Sequence, residues 1–543
     1  NTGVGYAAGI CSTTAAENTA VGACALFCNT TGSYNTSFGV AAAKTTTTGT
    51  YNTAIGRTAL RDNTGGDRNT ALGMYSLLVA TASNNTGLGM GTLQCNTTGS
   101  ENTASGVYAL CSNTTGEDNT AVGYNTMRNN TTGRRNTAVG IKALICNVGG
   151  TNNTAVGACT LEYNTNNYNT AVGSCALRLN VGGCYNTAVG FQTVYCNNSG
   201  DRNTGVGMYA FHATTTNDNT GVGYGAGICT TTGTQNTVMG SCAFYCNTTG
   251  SYNTVTGYDT LKCNTTGERN SAFGRTTLKA NTTGSFNNAF GMYALEQNTT
   301  GSCNTAVGYF SLYDNTGGCR NTASGNSSMQ GNTTGWENTA SGFYSLRCNT
   351  TGCHNTVLGS CAMYTSVTGK FNTALGHSAL KCPTASCCSV SIGYCAHALA
   401  GNKVLTTAIG FCSGVCNNND FNVSVGAYSA THGTTGVYNV YVGYGTGYCN
   451  KTGNCNTAIG HHNLRNSTGS DNTASGYRVM YSATTAFFNT GTGSKALRQL
   501  TTGDYNTADG SWALYNTTTG QCNVAMGYKA GCDLTTENNT ITI

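Results

Sequence analysis

Residues 119–140 read NTAVGYNTMRNNTTGRRNTAVG. The pentapeptide Asn119-Thr120-Ala121-Val122-Gly123 returns as Asn136-Thr137-Ala138-Val139-Gly140 and again as Asn153-Thr154-Ala155-Val156-Gly157, each time 17 residues on. Followed outward, its closing glycine runs from Gly5, Gly22 and Gly39 to Gly510 and Gly527. There are 32 such glycines, spaced by 17 and occasionally by 16. The unit is close to NTAVG-Y-x-A-L-x-x-NTTG-x-x. With the glycine as position 0, position −1 is apolar in 25 of 32 units, position +3 is usually Ala and position +4 usually Leu.

A tandem period of this length decides the architecture before any single motif does. Seventeen residues are too few for a helical-hairpin repeat and lack leucine-rich spacing. Two short β segments and two turns fit the length at about 3.3 Å per residue, with strands pairing between coils about 4.8 Å apart. The expected fold is therefore all-β: one continuous β-solenoid over residues 1–543, of about 32 coils and on the order of 150 Å long. The single proline, Pro383, falls where the NTT turn begins, where a missing ladder donor costs least. The near-constant Asn at −4, replaced by Ser389 and Thr406 in two units, is expected to form an amide ladder. The glycine is expected to meet a positive φ or a close backbone approach. Position −1 and the +4 Leu are expected to line the core, with looser packing where −1 is Ser105, Thr256, Ser324, Ser341, Ser475, Thr492 or Asp509.

Composition excludes several classes. Only 8% of residues are charged, and the net charge of +5 forms no basic stripe for nucleic acid. No apolar run approaches the roughly 20 residues of a membrane span, and no signal peptide is visible. The seven histidines (His212, His354, His377, His397, His432, His461 and His462) are scattered over different slots. No nucleophile–base set, carboxylate pair, metal-ligand spacing or phosphate loop accompanies them. The stretch GVGYGAG around Gly221 lacks the strand–helix context of a nucleotide motif. No enzyme activity, cofactor or metal is expected.

The run NTAVGYxAL resembles the head repeats of trimeric autotransporter adhesins. It is similar as well to Asn/Thr/Gly-rich repeats in fibre proteins of phages and giant viruses. The resemblance covers the whole chain and implies an extracellular or virion-surface fibre, often adhesive. It supplies no catalytic residue.

The 29 cysteines occupy few slots. Five at +6 are followed 13 residues later by one at +2 in the next coil: Cys11/Cys24, Cys146/Cys159, Cys229/Cys242, Cys348/Cys361 and Cys382/Cys395. That recurrence suggests bridges between adjacent coils, hence an oxidising compartment. Cys24/Cys28, Cys242/Cys246 and Cys412/Cys416 are alternative pairs within one coil. The odd count leaves at least one thiol free or bonded to another chain. The NTT sequon recurs at +7, at Asn29, Asn96, Asn113, Asn130, Asn247, Asn264, Asn281, Asn298, Asn332 and Asn349. These are candidate glycan acceptors on a turn, though NTTG is also good turn chemistry. Tyrosines at +1 (Tyr6, Tyr124, Tyr224) and before the Asn (Tyr34, Tyr51, Tyr185) are expected to stack, or to bind a glycan.

The function these features predict is a disulfide-reinforced fibre or filament subunit, extracellular or on a cell or virion surface. The alternatives are an adhesin or receptor-binding fibre and, from the Thr column of Thr2, Thr19 and Thr53, an ice-binding protein. Its expected partners are other copies of itself, with surface glycans or a host receptor in the adhesin alternative. Both termini of the sequence fall inside repeats, as in a processed product or fragment. Uncapped ends of this kind predict head-to-tail assembly by strand pairing.

Overall fold

The structure, a computed structural model, describes residues 1–543. It falls into two units, Asn1–Arg269 and Asn270–Ile543. Each is a parallel β-solenoid, the first with 16 strands from Thr2–Val4 to Thr254–Thr256, the second with 17 from Ser271–Phe273 to Ile541–Thr542. There are no helices.

Each coil contributes one strand of usually three residues, the Thr-Ala-Val of the pentapeptide. Neighbouring strands pair in parallel without slippage: Thr137 lies beside Thr154, Ala138 beside Ala155 and Val139 beside Val156. A 16-residue coil keeps this register, since Thr154 pairs with Thr170 and Val156 with Val172. The missing residue is absorbed in the turn, where Asn166 supplies the carbonyl that a glycine supplies elsewhere.

The second β segment expected from the repeat length is replaced by a run of turns. Positions +2 and +4 adopt left-handed φ even when they are not glycine, as in Lys142 (φ 58°), Leu144 (φ 52°), Cys159 (φ 53°) and Leu161 (φ 50°). The backbone nonetheless stays paired coil to coil. The N–H of Gly140 donates to Val122 O at 2.8 Å and that of Lys142 to Tyr124 O at 3.0 Å, both in the preceding coil. The N–H groups of Leu144 and Cys146 donate the other way, to Thr160 O and Glu162 O at 3.0 Å. Buried N–H and C=O groups are thus satisfied between coils, which is what allows so small a cross-section.

The interior has an apolar and a polar part. Ala at −2, Ala or a small hydroxyl residue at +3 and Leu at +4 are buried, as in Ala138, Ala143 and Leu144. Asn at −4 and Asn at +7 are equally buried. At +7 the amides form a ladder: Asn113 Nδ2 donates to Asn96 Oδ1 and Asn130 Nδ2 to Asn113 Oδ1, each at 2.8 Å. At −4 the ladder runs mainly through the backbone, with Asn136 N–H donating to Asn119 Oδ1 at 3.0 Å. The Nδ2 groups of both sets converge on one carbonyl per coil. Asn136 and Asn147 donate to Gly150 O at 2.8 and 3.0 Å, which ties the start of the coil to its end.

Volume is balanced between neighbouring coils. Phe211 replaces Leu at +4, and Gly221 and Gly227 stand where its ring needs room. A Cβ built on them falls 2.6 and 2.4 Å from ring carbons of Phe211. The same compensation pairs His397 with Gly414 and Tyr441 with Gly447.

The expected burial at −1 is inverted. Val122, Val139 and Val156 are 39%, 37% and 37% exposed, while Asn119, Asn136 and Asn153 are buried. In a three-residue strand alternate side chains face opposite ways, and the core takes Asn and Ala, leaving Thr and Val outside. The expected burial of the +4 Leu matches the structure.

Candidate functional site

That inversion creates the most regular surface of the molecule. Seven successive strands, Thr120–Val122, Thr137–Val139, Thr154–Val156, Thr170–Val172, Thr187–Val189, Thr204–Val206 and Thr220–Val222, present the same Thr and Val outward, with Ala or Gly between them facing in. In the Asn1–Arg269 unit all 16 outward −3 residues are Thr. The Thr column therefore lies on a sheet face. Over both units the outward −3 and −1 slots number 64, and Asp509 is the one charged residue among them. The chain-wide 8% would place about five there. Asp509 accepts a hydrogen bond from Thr492 in the preceding coil. The other six polar −1 residues lie on this outer face rather than in the core.

A second feature is a set of aromatic columns along the turns. Tyr34 stacks on Tyr51 with ring centroids 4.8 Å apart, and Tyr168 on Tyr185 at 4.9 Å. At +5 of the second unit Arg465 lies between Tyr448 and Tyr481, 5.4 Å from each ring, and Arg498 lies 5.9 and 5.6 Å from Tyr481 and Tyr515. A surface cavity of about 240 Å³ opens beside this column, lined by Tyr428, Tyr444, Tyr448, His462 and Arg465. Stacking within the column accounts for the rings as structure; the cavity adds an aromatic and cationic lining suited to a polar planar ligand.

The structure places the +6 and +2 cysteines in different columns of the stack. Cys11, Cys24, Cys146, Cys159, Cys229, Cys242, Cys348, Cys361, Cys382 and Cys395 are all free thiols. The cause is register. The N–H of Cys146 (+6) donates to Glu162 O (+5), and that of Cys159 (+2) to Ile141 O (+1), so like slots stack on like. The electrostatics follow the same columns: burial raises the Cys246 thiol pKa first, and Cys263 and Cys229 above and below it raise it further. One close sulfur pair, Cys387–Cys388 at 2.8 Å, is adjacent in sequence.

The sequon asparagines lie in the interior of the coil rather than on its surface. Asn29, Asn96, Asn113, Asn130, Asn247, Asn264, Asn281, Asn298, Asn332 and Asn349 are all fully buried. Their Nδ2 atoms, where a glycan would attach, donate to the +10 glycine carbonyl, as Asn29 does to Gly32 at 2.9 Å and Asn349 to Gly352 at 3.1 Å. The turn is exposed at the threonines, not at the asparagine, and the folded coil has no room for a sugar at these amides.

Sequence reasoning missed one interior group. In the coils where Ser389 and Thr406 interrupt the Asn column, Lys403 takes the +10 slot and His397 the +4 slot, both buried. Lys403 Nζ has no hydrogen-bond partner. Burial lowers its pKa to about 7, opposed by Asp420. His397 bonds Ser391 Oγ through Nδ1 at 2.9 Å, and burial with the nearby Lys403 lowers its pKa to about 3. The departures Ser389, Thr406 and Pro383 from the repeat were the available signal. No group of three or more His, Cys, Asp or Glu side chains is arranged to hold a metal ion. No helix is long and apolar enough to cross a membrane.

Compared with known proteins, no family model matches the chain, and a search of curated proteins finds no match.

Proposed function

We propose that this chain is a structural fibre subunit whose task is length and stiffness. One observation carries the reading: most of the bonding of each coil is directed at the coils above and below it. The strand, the turns and both Asn columns use their donors and acceptors between coils, so stability grows with each added repeat. The resemblance to adhesin heads and viral fibres supports placing it outside the cell or on a virion. Electron microscopy of the native protein tests this: stiff rods of uniform width are expected, and flexible or globular particles would refute it.

A second reading, an adhesive fibre, is favoured by the cavity at Tyr428, Tyr444, Tyr448, His462 and Arg465. Glycan-array binding that is lost in Tyr444→Ala and retained in Tyr34→Ala would support it.

A further inference from the structure

We infer that the outward Thr/Val face of the Asn1–Arg269 unit is a lateral self-association surface, taking the same face of a second copy of this chain. The inference deepens the fibre reading and rests on it. It is carried by composition, area and charge.

Of the 16 residues at −1 in this unit, 14 are Val, Ile, Leu, Phe or Met, and the other two are Ser105 and Thr256. They stand in one column next to a column of threonines, and most are more than a third exposed, from Leu88 at 37% to Val4 at 57%. Sixteen strands about 4.8 Å apart, each about 10 Å long, make a face on the order of 750 Å². The apolar −1 column makes up about half of this face, and a contiguous apolar patch of a few hundred square ångströms marks an interaction site. The two columns together approach the roughly 800 Å² per partner of a stable protein interface.

Charge identifies the occupant. In a two-fold pairing of one face with itself, a charge near the axis meets its own copy, and such like-charge contacts cost several kcal/mol. A face for an unlike partner gains from complementary charge and has no reason to lack it. None of the 32 outward −3 and −1 residues of this unit is charged, whereas Glu, Asp, Arg and Lys occur in the turns on either side. Identical columns at a common coil spacing also interdigitate, the packing of a steric zipper. Ice is the competing occupant, since a flat Thr column can order water. The −1 column changes between Val, Phe, Ile, Leu and Met, which suits a repacking protein partner better than a fixed lattice.

Sedimentation of the full-length protein over a range of concentrations tests the inference. The wild-type chain is expected to pair, and Val139→Lys/Val172→Lys/Val206→Lys to weaken pairing by roughly a hundredfold or more. A control with Val148→Lys/Val181→Lys, exposed valines of the turns, is expected to pair as the wild type does. Circular dichroism checks that each variant is folded. A folded wild type that stays monomeric at high micromolar concentration overturns the inference, as does a triple variant that pairs normally. Thermal hysteresis by the monomer, lost in the same triple variant, would overturn it in favour of ice. Microscopy separates the two levels: single rods defeat the lateral face and leave the fibre reading standing, whereas no rods defeats the fibre reading itself.

Discussion

Replacing Gly140 by Ala tests the stacking most sharply. Gly140 has φ 134°, and a Cβ on it falls 2.4 Å from Gly157 O and 2.6 Å from Gly157 C in the next coil. Those neighbours are backbone, so no rotamer change relieves the overlap. Restoring a contact of 3.0 Å parts the two coils by about 0.6 Å. The bonds at risk are Gly157 N–H to Val139 O at 2.8 Å and Cys159 N–H to Ile141 O at 2.9 Å. Backbone strain of about 1–3 kcal/mol, with about 1 kcal/mol for each weakened bond, gives a local destabilisation of roughly 3–5 kcal/mol. In a repeat protein this loss is read locally, by native-state hydrogen exchange. The amides of Gly157 and Cys159 are expected to exchange at least roughly a hundredfold faster. The control lies in the same coil. Gly149 has no left-handed φ, and its Cβ would meet only Thr132 Oγ1, at 3.2 Å, so Gly149→Ala should be near neutral. If Gly140→Ala is as harmless as Gly149→Ala, the close approach of glycine columns is wrong.

Three further outcomes follow from the interior. Asn130→Ala removes the bonds to Asn113 Oδ1, Gly133 O and Asn147 Nδ2 and leaves Asn113 Oδ1 buried without a partner, and should cost about 3 kcal/mol or more in local stability. Exposed Asn129→Ala should cost almost nothing. Gly221→Ala should destabilise through its clash with Phe211, and Phe211→Leu should restore most of the loss, a coupling measurable in a double-mutant cycle. Lys403 sets a pH dependence. Its folded pKa of about 7 lies below the ordinary 10.5, so between those values the unfolded segment holds a proton that the folded one lacks. Stability of this coil should therefore fall as pH drops from 10.5 to 7, and His397 should extend the fall from 6.5 toward 3. Exchange rates near residue 403 measured against pH should lose the upper part of this dependence in Lys403→Met.

Much of the fold is legible in the repeat. The period gives the coil, the invariant glycine gives the close approach, and the +4 Leu gives one wall of the core. The side of the strand does not follow from hydrophobicity, because the pentapeptide offers Val and Ala on opposite faces. The coil is so narrow that Ala and a hydrogen-bonded Asn fill it better than Val. The left-handed turn residues are also hidden, since Lys142 and Leu144 carry no sign of a positive φ. Gly225 and Gly227, within the GVGYGAG stretch, were that sign: they occupy the same +2 and +4 slots with φ of 60° and 62°. The placement of the cysteines and of the sequon asparagines was hidden for one reason. Spacing along the chain shows that residues recur, but the in-register stack decides that +6 meets +6 and that the +7 amide points inward.

Hydroxyl-radical footprinting of the native protein tests the central claim most directly, because Val and Leu are compared in the same or adjacent coils. Val122, Val139 and Val156 are expected to be labelled readily, and Leu110, Leu144 and Leu161, all fully buried, to be protected until the chain unfolds. Protection of the three valines to the level of the three leucines would contradict the account, since it would turn the strand over and put Thr and Val in the core.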